Sequence, residues 1–324
     1  MAPAVSVIIP VRDRRDLLRR TLDSLAGQTW RDFEVLVVDD GSVDGSGDVA
    51  HGRAADGLPV TVLDGGGQGA VAARIKGVCA STAPVLAFTD SDCEPAPDWL
   101  ERGLAHIEAG ADVVQGRTEP TGPVLPIQRT VWVTEEDGLY ATCNVFYRRT
   151  AFDAAGGFDP TDAERIGFRP GPRLRDLGFG EDTTLGWRVR RRGASRFASD
   201  VVVRHHVFPP DVRSHLERAL NAGGFASLVA EVPELRTVFL ERRYLLGGPQ
   251  RVPLYLAVLL GALGARRMAG LALSGWVVGH ALALRARSPD RQTAVAALPA
   301  TLAGDAITAG SLLAGSLRAR RLVL

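Results

Sequence analysis

Over the first 115 residues, short apolar runs alternate with stretches whose apolar positions recur every third or fourth residue. The runs VSVIIPV (5–11), FEVLVVDD (33–40), VTVL (60–63), VLAFTD (85–90) and DVVQG (112–116) are rich in β-branched residues and read as strands. Between the first two, Leu18, Leu22 and Leu25 fall on one face of a helix that packs against a sheet. Strand and helix in strict alternation predict βαβ units on a mostly parallel sheet. Pro10 closes the first run and discourages pairing beyond it. The segments GSVDGSGD and DGGGQG read as turns in which glycines take positive φ and bring backbone N–H groups together.

From 117 to 180 the periodicity loosens, divided by Pro120, Pro123, Pro126, Pro160, Pro170 and Pro172. Within it NVFYRRTAFDAAGGFDP reads as a strand, a short helix from Thr150 and a glycine turn. A helix is expected over 181–192, stopped by Gly193, and another over 212–230. No internal repeat is visible. At about Val252 the pattern changes: Val252 to Ala265 and Met268 to Leu284 carry no charge, and Arg266 and Arg267 separate them. A third run, Thr293 to Leu317, contains only one charge, Asp305, and also Pro299. A spanning helix needs roughly 17 to 25 apolar residues. The first run is short for that, the second marginal, and the third long but interrupted. The expected organisation is a domain over 1–210, a helical connector over 211–251 and an apolar helical region over 252–324, either spanning a membrane or lying in its interface.

Composition changes this picture in two places. The 324 residues are 46% apolar and 23% charged, which describes a packed protein and excludes a disordered one. The net charge of +1 is uneven, because residues 252–324 hold eight Arg and two Asp while the remainder carries −5. The basic end is thus the apolar end, as a membrane-associated region requires; no nucleic-acid partner is expected. Lys76 is the only lysine among 38 cationic residues, a feature of codon usage rather than of guanidinium chemistry. Cys79, Cys93 and Cys143 lie far apart without CxxC spacing, which argues against a zinc site or a disulfide framework and fits a reducing compartment. The N-terminal apolar run has no basic residues before it and reads as a strand, not a signal peptide. The first domain is therefore expected at the cytoplasmic face.

Candidate chemistry gathers where ligands bind in open α/β sheets, beyond the carboxyl ends of the strands. Asp39 and Asp40 end one run, and Asp90 and Asp92 follow another. Side chains alternate along an extended chain, so Asp90 and Asp92 can face one way. Paired carboxylates suit a hard divalent cation, which is commonly shared with a substrate's phosphates. Glu181 and Asp182 open a helix behind the glycine-rich LGFG, where acidic residues complement the helix dipole and can also face a substrate. His205 and His206 end a strand and fit either a structural or a ligating role. Arg188, Arg190, Arg191 and Arg192 close the helix after Asp182 and read as a solvated face. The loop RIGFRPGPRLRDLGFG (165–180) either closes over a ligand, holds an acceptor phosphate, or is ordinary surface.

The segments VSVIIPVRDRRDLLRRTLDSLAGQTWRDFEVLVVDDGSVDGS, GQGAVAARIKG, FTDSDCEPAPDWL, NVFYRRTAFDAAGGFD and GFGEDTTLGWRVRRRG occur in this order over residues 5–206. In that order they resemble the family 2 glycosyltransferases. The resemblance implies a GT-A fold: a Rossmann-like, mostly parallel α/β sheet with flanking helices, here followed by an all-helical membrane-associated C-terminal region. It implies that Pro10, Asp39, Asp40, Arg74 and Asp90 lie at the donor nucleotide, and that Asp90 and Asp92 hold Mg²⁺ or Mn²⁺ with the donor diphosphate. It also implies a metal-ligating histidine near His205 or His206. Asp182 becomes the general base for the acceptor hydroxyl, supported by Glu181, and the reaction a single displacement with inversion at the anomeric carbon. The implied partners are a nucleotide-sugar donor, a lipid-linked or glycan acceptor and a membrane. The implied activity is that of a hexosyl- or deoxyhexosyltransferase of cell-envelope polysaccharide synthesis.

Two other classes bear on the same residues. A sugar nucleotidyltransferase shares the general fold, but it carries a glycine-rich phosphate loop directly after the first strand, and PVRDRRDLL has no glycine. A catalytically idle, membrane-held binding module keeps the fold and loses the carboxylates, whereas Asp90, Asp92 and Asp182 are all present.

Overall fold

A computed structural model describes residues 2–166 and 179–324, in two compact units. The first comprises the described residues within 1–122, 130–163 and 175–207. Its elements in order are β1 (Val5–Val11), α1 (Arg15–Ala26), β2 (Phe33–Asp39), α2 (Ser46–Ala55), β3 (Val60–Asp64), α3 (Ala70–Ala80), β4 (Val85–Phe88), β5 (Cys93–Pro95), α4 (Trp99–Glu108), β6 (Val113–Pro120), β7 (Val145–Arg148), α5 (Arg149–Ala154), α6 (Asp162–Arg165), α7 (Glu181–Arg190) and β8 (Ser195–His205). The strands form one sheet in the order β3-β2-β1-β4-β7-β6-β8-β5.

The β3-β2-β1-β4 half is parallel, as the βαβ alternation predicts. Beyond β4 the sheet turns mixed, because β7 runs antiparallel to both β4 and β6, and β5 antiparallel to β8. All seven residues of β1 are buried, which explains why that strand reads as a continuous apolar run. On α1 the buried positions are Leu18, Thr21, Leu22 and Leu25, the stripe the periodicity predicts. N–H groups at the start of that helix are satisfied from the β2–α2 loop and the first residue of α2, where Asp44 accepts from Arg15 N and Ser46 Oγ from Arg14 N.

Pro10 behaves differently on its two sides. Pairing with β2 continues through Pro10↔Val38 to Val11↔Asp39, contrary to the expectation that it stops at the proline. Toward β4 the ladder ends at Ile8↔Phe88, with one further bond from Thr89 N to the Ile8 carbonyl. Pro10 sits two residues on from Ile8 and faces the same side, past the end of β4, where its missing N–H forfeits no ladder bond.

Asn144 fastens the mixed half. It accepts from Trp99 Nε1 at 2.9 Å and donates to the carbonyls of Arg117 and Val201, across the point where the β6–β8 register shifts. Gly116 lies against that amide, and a Cβ there would meet Asn144 Nδ2 and Oδ1.

The second unit comprises the described residues within 123–129, 164–174 and 208–324. The single helix expected over 212–230 is two, α8 (Val212–Asn221) and α9 (Gly224–Glu231), because Gly223 turns its N–H to Ser311 Oγ at 2.9 Å. After α10 (Leu235–Val238) the apolar runs become α11 (Val252–Ala262), α12 (Arg266–Arg287) and α13 (Arg291–Ala319). Arg266 and Arg267 open α12, and α13 continues through Pro299. α12 and α13 are long and apolar enough to cross a membrane by length and composition.

Candidate active site

The candidate acidic residues lie at the end of β2, just past β4 and at the start of α7. Asp39 is half-buried and accepts from Ser42 N at 2.8 Å. Asp40 is buried, and its two oxygens accept from Gln68 N and Gly69 N, each at 2.8 Å, with Arg12 3.7 Å away. The DGGGQG turn does take positive φ at Gly66, Gly67 and Gly69, and the N–H groups it gathers close on the Asp40 carboxylate. Asp40 thus holds that loop against β2, while Asp39 is the more accessible of the pair.

Arg74 enters from α3 and is buried. Its Nη2 donates to Asp90 Oδ1 at 2.8 Å, and its Nη1 lies 3.7 Å from Glu181 Oε1. One guanidinium therefore links Asp90, two residues past β4, to the first residue of α7, a link that sequence spacing does not reveal. Arg74 Nε and Glu181 Oε2 are both buried without a hydrogen-bond partner among the described residues. Buried polar atoms in that state are costly and mark a place where a ligand's polar groups fit.

Asp90 and Asp92 do not form one pair. Asp90 turns to Arg74, whereas Asp92 Oδ1 lies 3.5 Å from His205 Nε2. The antiparallel pairing of β5 with β8 sets this geometry, with Cys93 opposite His205 and His206 N donating to the Asp92 carbonyl. His205 Nδ1 lies 2.9 Å from the His206 carbonyl oxygen, so the tautomer that donates there carries its proton on Nδ1. In that tautomer the Nε2 lone pair faces the Asp92 carboxylate, an arrangement that a cation between them relieves. Asp92, Cys93 and His205 bring donor atoms within 4.8 Å of one another. Burial, and then the neighbouring Cys143 thiol, push the Cys93 thiol well up, so it stays neutral and is the weakest donor of the three. The oxygen and imidazole donors left fit a divalent cation. Of the two candidate histidines, His205 supplies the ring to this cluster, and His206 contributes its backbone.

The start of α7 depends on Gly180, whose φ of +84° turns the chain into the helix. Glu181 is buried, and burial raises its pKa against the opposing pull of Arg74. Asp182 accepts from Thr183 N at 2.7 Å. Burial first, and then the Glu181 carboxylate, push Asp182 up to about 8. Burial and carboxylate repulsion thus favour the protonated form of both adjacent carboxyls. The helix they open is held by the 137–140 turn: Thr183 Oγ1 donates to the Leu139 carbonyl and Trp187 Nε1 to that of Gly138, while within the turn Asp137 accepts from Gln115 Nε2 and Leu139 N.

Sequence analysis singles out neither Asp137 nor Asp162. Asp162 is fully buried, accepts from Thr184 Oγ1 at 2.6 Å and faces Arg188 at 3.7 Å. Arg188 therefore reaches inward and is not on a solvated face, and Arg190 meets Glu136 and Tyr140. Neither Asp137 nor Asp162 lies in a recognisable motif, so no local signal could have found them. Most of the 165–180 loop, residues 167–178, lies outside the described residues.

Residues 6–159 match the family described as Glycosyl transferase family 2. The glycosyltransferase AglE of Haloferax volcanii is 42% identical over 126 residues, 37% of this chain and 41% of that protein. The pre-mycofactocin glycosyltransferase of Mycobacterium tuberculosis is 28% identical over 252 residues, 70% of this chain and 47% of that protein. The chain thus spans less than half the length of either relative. Among solved structures, the mannosyltransferase PcManGT of Pyrobaculum calidifontis, in complex with GDP-Man and Mn²⁺, matches with a TM-score of 0.55 at 17% identity, covering 99% of this chain and 88% of that one. At that identity the likeness shows the fold, a GT-A arrangement with a helical C-terminal region.

Proposed function

We propose that this family 2 glycosyltransferase domain moves a sugar from a nucleoside-diphosphate sugar to a hydroxyl of a lipid-linked or glycan acceptor, with inversion, at a membrane surface. One observation supports the reading above the others: Arg74 joins Asp90, the residue we assign to the donor side, to Glu181, which opens a carboxyl pair of raised pKa. A related fold solved with GDP-Man and Mn²⁺ supports the donor class and the metal.

In this reading Asp39, the more accessible of the two, meets the nucleotide base, and Asp40 shapes the adjoining loop. Asp92 and His205 would hold Mg²⁺ or Mn²⁺, which when bound would supply positive charge to the donor's diphosphate oxygens. Arg74 keeps Asp90 in place and balances the charge of Glu181. Asp182, once ionised, takes the acceptor hydroxyl's proton as the acceptor oxygen bonds to the anomeric carbon and the bond to the diphosphate breaks. Its raised pKa makes it a stronger base than an ordinary carboxylate.

The test is thermal stabilisation by nucleoside diphosphates with and without Mn²⁺. A ligand at a hundred times its Kd stabilises by about 2.7 kcal/mol, so a metal-dependent rise in Tm with one nucleotide is expected. No response to any uridine, guanosine or thymidine diphosphate would remove the donor site from the account.

A further inference from the structure

The polar contacts of the C-terminal helices decide how they meet lipid. Asp305, in the middle of α13, is buried and accepts from Trp276 Nε1 at 2.9 Å. Arg251 Nε lies 2.6 Å from it and His280 Nε2 3.3 Å. Trp276 and His280 belong to the middle of α12, about 15 and 21 Å along from Arg266 at 1.5 Å per residue. The neighbouring Gly304 is closed on by the His215 ring of α8, Ser311 bonds Gly223 N and the Leu220 carbonyl, and Gly315 packs on Gly223. One face of α13, through Gly304, Ser311 and Gly315, is therefore covered by α8 and the turn into α9. α8 carries Arg213, Glu217 and Arg218.

If α12 crossed a bilayer, its midpoint would draw Asp305, Arg251 and the charged α8 to the depth of the hydrocarbon. Charges there are expensive, and α8 is a charged, amphipathic helix. The outer faces of α11 and α12 show the opposite character, with Leu256, Leu263, Leu271, Val278 and Leu282 exposed. No acidic residue occurs between 252 and 289, and the four charges there are Arg266 and Arg267 at one end of α12 and Arg285 and Arg287 at the other. An uncharged face bounded by arginines matches an anionic lipid surface.

We infer that α11 and α12 lie in the plane of one leaflet of an anionic bilayer, apolar face inward and arginine ends at the headgroup phosphates, with no segment of 252–324 crossing. This rests on the membrane part of the proposed function and specifies its geometry. Full-length protein is added to preformed vesicles with and without phosphatidylglycerol. Two variants, Arg266→Cys and Pro289→Cys, are made in a Cys79→Ser background, where Cys93 and Cys143 are buried. Flotation with anionic vesicles is expected, weakened at least tenfold in Leu271→Asp/Val278→Asp whose circular dichroism is unchanged. An impermeant maleimide added outside should label both new cysteines. If either is labelled only after the vesicles are opened, the helix crosses and the inference is overturned while membrane attachment stands. If the protein does not float, or stays in solution as a dimer sealed through this face, both are overturned.

Discussion

Glu181→Gln isolates the cause of Asp182's raised pKa. With that pKa at about 8, and burial and Glu181 as its main causes, only about a tenth of Asp182 is ionised at pH 7 in the unliganded protein. The pH profile of kcat/KM reports the free enzyme's acid and base. It should therefore rise about tenfold per unit below pH 8 and level off above it, with metal saturating throughout. Replacing Glu181 removes a neighbouring negative charge and leaves Arg74 nearer in effect to Asp182. Both changes favour the ionised form, and the acidic limb should move down by roughly one unit. At pH 7 the variant would then gain up to several-fold relative to its own plateau, against the loss of whatever support Glu181 gives the site. The assay is initial-rate nucleoside diphosphate release over pH about 5 to about 10 for wild type, Glu181→Gln and Asp182→Asn. Because the two carboxyls interact, the limb belongs to the pair, and the comparison with Asp182→Asn assigns it. A limb that stays in place in Glu181→Gln, or one that survives in Asp182→Asn, would refute the reasoning.

Other consequences follow from the same contacts. Asp92→Asn should weaken Mn²⁺-dependent binding of a nucleoside diphosphate at least tenfold by calorimetry, because it removes the anionic partner of His205. Asp182 also links stability to pH. Its folded pKa lies above the usual 3.8, so the folded chain keeps a proton that the unfolded chain releases. The resulting stability is present below about pH 4 and is lost as pH rises through about 8. Asp182→Asn should accordingly match wild-type Tm at the acidic end and exceed it at pH about 9. Asn144→Ala leaves the Trp99 indole and two carbonyls without partners in the core and should cost about 3 kcal/mol in chemical denaturation.

The sequence made the parallel half of the sheet legible because β1, β2 and β4 are buried on both faces and α1 shows a clean stripe. Its carboxylates could be named because each ends a strand or opens a helix. What it did not show depends on pairing between distant segments. The β5–β8 ladder selects His205 over His206, and it separates Asp92 from Asp90. The turn of Arg74 toward both Asp90 and Glu181 joins residues 16 and 107 positions away, which no local period encodes. Length and charge mark the apolar tail, but they do not show the partners of Asp305, because Arg251, Trp276 and His280 come to it from 54, 29 and 25 positions away.

The most direct test of the central claim is turnover of a panel of UDP-, GDP- and dTDP-sugars by full-length protein with Mn²⁺, wild type beside Asp182→Asn. At least one donor should release its nucleoside diphosphate in a metal-dependent way. Asp182→Asn should lower that rate by roughly 10²- to 10⁴-fold while nucleotide affinity changes only a few-fold. Release from no donor, or equal rates in the two proteins, would contradict the assignment of the Glu181–Asp182 pair as the centre of a glycosyl transfer.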